Sequence, residues 1–251
     1  MEHYATAQQV FGGGLVFARI GSMIMTMPGL GDMPTPVRAR LAFALLMCLV
    51  VTPVVLPALP AIPDDLGGMI GLMLREVLIG LAIGAVLRTF LAAMTIAGEV
   101  ISISTTLSFA QTADPTQSQQ SSTLATFLSL LAVALIMATN LHHLFIAAMV
   151  HSYELFPFSR TPPTGDFATL EIRTVASAFT LGIQLSGPIL VFSLIFNLAI
   201  GLVGRAMPQF QIFFAATPLQ VLLGLSIFAL SLGLMGSYWL GRYRDVLATF
   251  G

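Results

Sequence analysis

The stretch that decides the fold is LGGMIGLMLREVLIGLAIGAVLRTFLAAMTIA, which runs from Leu66 to Ala97. It carries only three charged side chains, Arg75, Glu76 and Arg88, in a long run of apolar residues and glycine. A helix that crosses the hydrocarbon core of a bilayer needs about 20 predominantly apolar residues. The stretch is longer than that, so it predicts a membrane helix that also holds charges at unusual depth.

The composition of the whole chain supports the same interpretation. Of its 251 residues, 57% are hydrophobic and 8% are charged, and the mean hydropathy is +0.93. A soluble domain carries about 25% charged residues, because its surface must face water. The formal net charge of -1 leaves no basic face for nucleic acid. We therefore predict an all-α polytopic membrane protein that binds no nucleic acid.

Six apolar segments divide the chain. The acidic opening MEHYATAQQ lacks the pattern of a cleaved signal peptide, so we expect the first segment to be retained. Pro188 and Pro218 lie inside the last two segments, where a proline removes a backbone hydrogen bond, and we expect a kink at each. The segments are about Val10 to Met27, Leu41 to Leu59, Leu66 to Ala97, Leu124 to Met149, Val175 to Val203 and Ile212 to Leu240.

The charges between the segments give contradictory topologies. Arg38 and Arg40 favour a cytoplasmic first connection by the positive-inside rule, which with six spans puts the C-terminus outside. Arg242 and Arg244 near the C-terminus favour the inside. Either the span number differs from six, or the segments are not six conventional lipid-facing spans.

Ionisable residues within or beside the apolar segments have two interpretations. They could line a proton or ion path, or they could pair with each other where helices meet. We favour pairing, because a transporter gathers such groups at the membrane midplane. The residues are Arg19, Arg75, Glu76, Arg88 and Glu99.

Catalytic and metal-binding patterns are missing from the sequence. It has no HExxH, no GxSxG and no glycine-rich loop that ends in GK[ST]. His142 and His143 are adjacent, and neighbouring side chains on a helix point about 100° apart, which makes them poor joint metal ligands. We predict no catalysis, no metal and no cofactor.

A polar stretch, SISTTLSFAQTADPTQSQQSST from Ser102 to Thr123, separates the third and fourth segments. It contains one acid, Asp114, and no basic residue. Irregular backbone at membrane depth is tolerated only inside protein or along a water-filled cavity. Composition leaves two interpretations open, an ordinary extramembrane loop and a constriction inside a pore.

Three further motifs give these features a context. AGEVI, Ala97 to Ile101, precedes LSFAQTADP, Leu107 to Pro115, and NLHHLFIAAMVHSYELFP begins at Asn140. The most specific motif is NLAIGLVGRAMPQFQIFFAATPLQVLLG, Asn197 to Gly224. Together they resemble the FliR family of flagellar biosynthetic proteins, equivalent to the T-type subunit of injectisome export systems. The positions that match these motifs are Asn140, His142, Asn197, Gly201, Arg205, Pro208, Gln209, Phe213 and Pro218. Near the start of the chain, Arg19, Pro28, Pro36 and Arg38 fit the family's looser N-terminal pattern.

The resemblance implies a subunit of the type III export gate in the bacterial inner membrane, at the flagellar basal body. Such subunits build a helical assembly of kinked helix hairpins around a protein-conducting channel with P-type and Q-type subunits. The implied further partners are the B-type export switch protein, unfolded flagellar proteins and membrane lipid. Residues 1–251 would form one export-gate domain, with a P-subunit-like part at 1–174 and a Q-subunit-like hairpin at 175–251. An assembly that sits largely above the membrane plane would explain the contradictory topology.

The same resemblance assigns a plug loop to about residues 106–122. Phe109, with Leu107 beside it, is the expected gasket, because apolar constrictions gate by dewetting. We assign Arg88 and Glu99 to pairing between helices. The plug residues are Thr106, Leu107, Ser108, Phe109, Ala110, Asp114 and Pro115.

One position departs from the family pattern. The family usually has glycine immediately before LSFA, where this chain has Thr106. Glycine permits backbone angles that threonine resists, so we expect a stiffer or differently bent loop. An injectisome gate subunit is the alternative assignment, and a secondary transporter is a weaker one, since we find no internal repeat.

Overall fold

The computed structural model describes residues 7–27, 29, 36–107, 122–158, 164–207, 209 and 212–248. Within these ranges every long element is a helix, which confirms the predicted all-α membrane fold. A short 3-10 turn, Leu56–Ala58, follows the second helix. The helices are α1 (Ala7–Thr26), α2 (Val37–Val55), α3 (Leu66–Ser104), α4 (Thr123–Ala138), α5 (His142–Leu155), α6 (Thr164–Ala206) and α7 (Ile212–Ala248).

Three helices are longer than a bilayer core requires. Helix α3 has 39 residues, α6 has 43 and α7 has 37. At 1.5 Å per residue α6 is about 64 Å long, roughly twice the ~30 Å of a hydrocarbon core. Pro188 lies inside α6 and Pro218 inside α7, and both helices continue past the proline. The kinks expected at these prolines stay predictions.

The fourth apolar segment, predicted as one unit from Leu124 to Met149, is two helices. Helix α4 ends at Ala138, and α5 begins at His142. Between them Asn140 has a φ of 58°, in the left-handed region. A helix cannot continue through that conformation, and Asn is one of the few residues that adopt it at modest cost.

Among the described residues, four helices are long and apolar enough to cross a membrane, and they are α2, α3, α6 and α7. The broken pair of α4 and α5 raises the number to five if it counts as one span. Helix α1, which includes Gln8, Gln9 and Arg19, is not among them. The six predicted segments are therefore not six conventional spans. The contradiction between the arginines near the two ends of the chain assumed six spans, so it no longer follows.

The chain folds into two compact units. The first comprises Met1–Phe90, Asn140–Val175 and Arg244–Gly251, and the second comprises Leu91–Thr139 and Ala176–Tyr243. We call them unit 1 and unit 2. The predicted division into residues 1–174 and 175–251 concerns likeness to other subunits, and it stays a prediction.

In unit 1, α1 and α3 approach closely along small residues. A Cβ atom added to Gly80 would clash with the Ser22 hydroxyl and with the carbonyl of Arg19. A Cβ atom added to Gly84 would clash with Thr26. The glycines are four positions apart, so they form two successive notches on one face of α3. This close approach places Arg19 of α1 beside α3.

In unit 2, glycines also mark where the second half of α3 packs. Gly98 lies against the backbone of Ala125 in α4, where an added Cβ would come within 2.6 Å of the Ala125 nitrogen. Gly224 of α7 lies against Thr105, with 2.5 Å between an added Cβ and the Thr105 methyl carbon. Gly182 of α6 packs on α3 in the same way. The end of α3 is thus held by three helices.

Candidate functional site

The predicted plug segment connects α3 to α4 in unit 2. Thr106, Leu107 and Ser122 belong to the described residues, so the structure shows how both ends of the segment are held. The other predicted plug residues, Ser108, Phe109, Ala110, Asp114 and Pro115, lie outside the described residues.

The first end of the segment is a left-handed turn. The amides of Thr105 and Thr106 donate to the carbonyls of Ile101 and Ile103, at 2.9 and 3.1 Å, which closes α3. Thr106 then takes a φ of 59°. Helices often end on a residue in this conformation, which is usually glycine because a side chain is strained there. Thr106, where the resemblance leads us to expect glycine, therefore has a left-handed backbone in this chain.

The second end of the segment is held by Glu99. The amide of Ser122 donates to Glu99 Oε1 at 2.8 Å. The Ser122 hydroxyl accepts from the amide of Ala125 at 3.2 Å, which is the usual N-cap arrangement for α4. One carboxylate on α3 thereby fixes the residue at which α4 starts.

A buried glutamine on α7 holds the first end as well. Gln220 is 4% exposed, and its Nε2 donates to the carbonyl of Ser104 at 2.9 Å. Ser104 is the last residue of α3, and its carbonyl has no partner within the helix. Sequence reasoning did not single out Gln220. The available signal was one amide in the apolar run ATPLQVLLG within the Asn197 to Gly224 motif.

A second polar cluster lies in unit 1 around Arg19, which is fully buried. Its Nε donates to Glu76 Oε2 at 2.6 Å, and Glu76 is also fully buried. The other two guanidinium nitrogens donate to the carbonyls of Ser152 and Phe156, at 2.9 and 2.8 Å. The guanidinium also lies over the ring of Tyr153, 4.2 Å from its centroid. Arg19 therefore joins α1, α3 and the end of α5.

Arg75 reinforces the same connection from α3. Its two terminal nitrogens donate to the carbonyls of Pro157 and Phe158, both at 2.8 Å. These carbonyls follow the end of α5, where backbone acceptors lack helical partners and the helix dipole favours a cation. The two arginines thus stabilise the chain just after α5.

This cluster favours structural pairing over an ion path for Arg19 and Glu76. All three guanidinium nitrogens of Arg19 are engaged by the carboxylate or by backbone carbonyls. A path needs groups that can release and rebind an ion, whereas these groups hold three helices together.

The histidines of α5 differ in one respect from the sequence prediction. The rings of His142 and His143 contact each other, with centroids 4.3 Å apart, although their positions on a helix suggested divergence. His142 Nδ1 is buried and has no hydrogen-bond partner among the described residues.

The remaining predicted residues lie on α3, α6 and α7 and in the chain between α6 and α7. Arg88 is exposed on α3, so the pairing assigned to it stays a prediction. Asn197 and Arg205 are exposed on α6, where Asn197 Nδ2 donates to Ser193 Oγ at 3.2 Å. Gln209 is exposed after α6, and Pro218 is exposed on α7. Pro208 and the side chain of Phe213 lie outside the described part of the chain.

Comparison with known proteins identifies the family. The family model of the bacterial export proteins, family 1, matches residues 10–246. The flagellar biosynthetic protein FliR of Caulobacter vibrioides is 56% identical, over 100% of both chains. FliR of Escherichia coli is 29% identical over 88% of this chain and 84% of that protein. FliR of Bacillus subtilis is 28% identical over 82% and 80%. The chain belongs to the FliR family of flagellar export proteins, as a multi-pass membrane protein that works with other subunits of the export apparatus.

Proposed function

We propose that this chain is a core subunit of the flagellar protein export gate. In this proposal it forms the protein-conducting channel with P-type and Q-type subunits, and residues 106–122 are the plug that seals the closed pore. The observation that carries the plug role is that both ends of this segment are fastened within unit 2. Glu99 holds Ser122 at one end, and Gln220 holds Ser104 at the other.

The residue types of the segment suit a seal. Leu107 to Ala110 is a short, mainly apolar stretch that can exclude water and ions by dewetting. The part from Thr116 to Gln120 is polar and uncharged, so it can face a water-filled lumen without binding the charged groups of an exported chain. Fixed ends suit a plug because the segment must return to one position after each substrate has passed.

The outer faces of the long helices support a place among other subunits. Leu230 and Leu234 on α7 are 84% and 75% exposed, and Phe214 on the same helix is 79% exposed. Helices of this length exceed the bilayer core, so lipid alone cannot cover them over their whole length. P-type and Q-type subunits are the proposed neighbours, with lipid of the inner membrane over the rest. The B-type export switch protein and unfolded flagellar proteins are the proposed further partners, at the basal body.

Each of two parts of the chain is proposed to resemble a different subunit of the export gate. Residues 1–174 would resemble a P-type subunit, and residues 175–251, which hold most of α6 and all of α7, would resemble a Q-type helical hairpin. The names of the relatives support a flagellum over an injectisome. A secondary transporter is disfavoured by the Arg19–Glu76 pair, which is engaged in helix contacts.

The test replaces residues 108–120 by a Gly/Ser linker of six residues, which spans up to about 20 Å. Thr106, Leu107 and Ser122 remain, so the Glu99–Ser122 and Gln220–Ser104 hydrogen bonds are kept. The variant is expressed with the P-type and Q-type subunits, and complex recovery and ion conductance are measured. We expect unchanged recovery and raised conductance. A matched control replaces only residues 116–120 by five Gly/Ser residues and should conduct as little as the native complex.

Two results would contradict the proposal. A complex that conducts no more ions after the longer replacement rules out the plug. A native chain that does not co-purify with P-type and Q-type subunits rules out the gate assignment.

A further inference from the structure

The last turn of α3 is tied to α7 at two consecutive residues. Gln220 donates to the carbonyl of Ser104, and Gly224, one helical turn further along α7, lies against the side chain of Thr105. Residues four positions apart share a face of a helix, so both contacts come from one face of α7. That face therefore meets the residues that immediately precede Thr106.

A buried amide side chain at position 220 is unusual in the apolar run of α7. A buried amide without a partner is costly, and an apolar side chain of the same length would fill the space without that cost. The hydrogen bond from Gln220 to the Ser104 carbonyl offsets this cost, and α3 itself has no donor for that carbonyl. The bond thus serves the end of α3 rather than the interior of α7.

The left-handed Thr106 makes this support necessary. A β-branched residue with positive φ is strained, and such strain persists only where the surroundings hold the backbone in place. The contacts that hold the turn include the backbone bonds that close α3, the Gln220 amide and the packing of Thr105 on Gly224. The hydroxyls of Thr105 and Thr106 also donate to the carbonyls of Ile101 and Thr105.

We propose that Gln220 is a positioning residue that, together with Gly224, ties the end of α3 to α7 and fixes the direction of the chain at Thr106 and Leu107, where the proposed plug segment begins. The inference rests on the proposed plug role of that segment. Its consequence is that the seal depends on α7, so a change confined to α7 loosens the seal without touching the plug residues.

The first experiment measures the position of the turn and does not depend on sealing. Cys48 is the one cysteine of the chain, so Cys48→Ala with Leu107→Cys gives a single reporter thiol in this subunit. The rate of labelling by a water-soluble maleimide is measured in the complex with P-type and Q-type subunits. Loss of one hydrogen bond changes an opening equilibrium by about fivefold, so Gln220→Met should raise the labelling rate by about that factor. Gln184→Met, at an exposed glutamine of the same unit, should leave the rate unchanged.

The second experiment measures ion conductance with native Cys48 and Leu107. Gln220→Met should leak more than the native complex and less than the complex whose residues 108–120 are replaced. Gly224→Ala perturbs the same turn independently, because its Cβ would meet Thr105. Gly233→Ala on the same helix is the matched control, since an added Cβ there meets no atom within 4 Å.

The outcomes separate this inference from the proposed function. If the loop replacement leaks but Gln220→Met and Gly224→Ala label and seal like the native complex, Gln220 is not a positioning residue and the plug role stands. If the loop replacement does not leak, the plug role fails, and the labelling rates alone decide whether Gln220 fixes the turn. Should Gln220→Met prevent recovery of the complex, Gly224→Ala against Gly233→Ala decides the question.

Discussion

Arg19 and Glu76 form an ion pair of 2.6 Å in which both side chains are fully buried. The two residues are 57 positions apart in the sequence and lie on α1 and α3. The same guanidinium binds two backbone carbonyls at the end of α5, which makes this pair the polar centre of unit 1. Removal of one partner therefore affects three helices at once.

Arg19→Met should destabilise the protein strongly, because it leaves the Glu76 carboxylate buried without its partner. Breaking a buried ion pair in this way costs about 3–5 kcal/mol. In a chain of this size each kcal/mol lowers the unfolding midpoint by about 2–4 °C. The thermal midpoint of the purified complex should fall accordingly.

The double variant distinguishes an unpaired charge from lost packing. Arg19→Met combined with Glu76→Met should recover a large part of the loss, since it removes the unpaired carboxylate. Arg173→Met, at an exposed arginine of α6 in the same unit, is the control and should change the stability by less than about 0.5 kcal/mol. A double variant no more stable than Arg19→Met would show that the loss comes from the other bonds and the packing of Arg19, not from an unpaired Glu76 carboxylate.

Gly80→Ala should disrupt the contact between α1 and α3. The added methyl group would meet the Ser22 hydroxyl and the Arg19 carbonyl, and forced displacement of a packed helix costs about 1–3 kcal/mol. Gly71→Ala in the same helix is the matched control, because its Cβ meets no atom within 4 Å and alanine favours a helix by about 0.5–1 kcal/mol. The thermal unfolding midpoint should fall for Gly80→Ala and rise for Gly71→Ala. Equal effects would mean that the notch at Gly80 is unimportant.

Thr106→Gly should stabilise the protein by about 0.5–1 kcal/mol, because glycine adopts the left-handed conformation without strain. Thr139, the C-cap residue that follows α4, has a φ of -94°, so Thr139→Gly relieves no strain and should destabilise the protein by a similar amount. The comparison uses thermal unfolding of both variants in the same complex. A loss of stability in both would show that Thr106 is not strained.

Glu99→Ala should weaken the second end of the proposed plug segment. It leaves the buried amide of Ser122 without its acceptor, which costs about 1–3 kcal/mol. Glu99→Gln keeps an acceptor oxygen and should retain most of the stability. Complex recovery and ion conductance of the two variants test this, with leakage expected for the alanine variant alone. If both variants seal as well as the native complex, the Glu99–Ser122 bond does not support the seal.

Much of the fold could be predicted from composition and pattern. A chain with 8% charged residues cannot build a water-facing surface, so the all-α membrane class followed directly. The family followed from the specific spacing in the Asn197 to Gly224 motif. The break at Asn140 was missed because apolar residues continue on both sides of it, and hydropathy does not report one left-handed residue.

The candidate site was only partly predictable. Thr106 was singled out because it stands where the resemblance leads us to expect glycine, and the structure gives it a φ of 59°. Glu99 was assigned to pairing between helices, but its partner, the amide of Ser122, could not be named from the sequence. Gln220 was overlooked altogether, since one amide in an apolar helix has no pattern of its own.

The sequence by itself determined that this chain is a helical membrane protein of the FliR family, because composition and short motifs are local properties. Only the tertiary structure decided that Arg19 pairs with Glu76 and that Gln220 reaches Ser104. These partners lie 57 and 116 positions apart, and long helices packed at glycines bring them together. Buried polar groups must find partners wherever the packing places them, and the packing is a property of the whole chain.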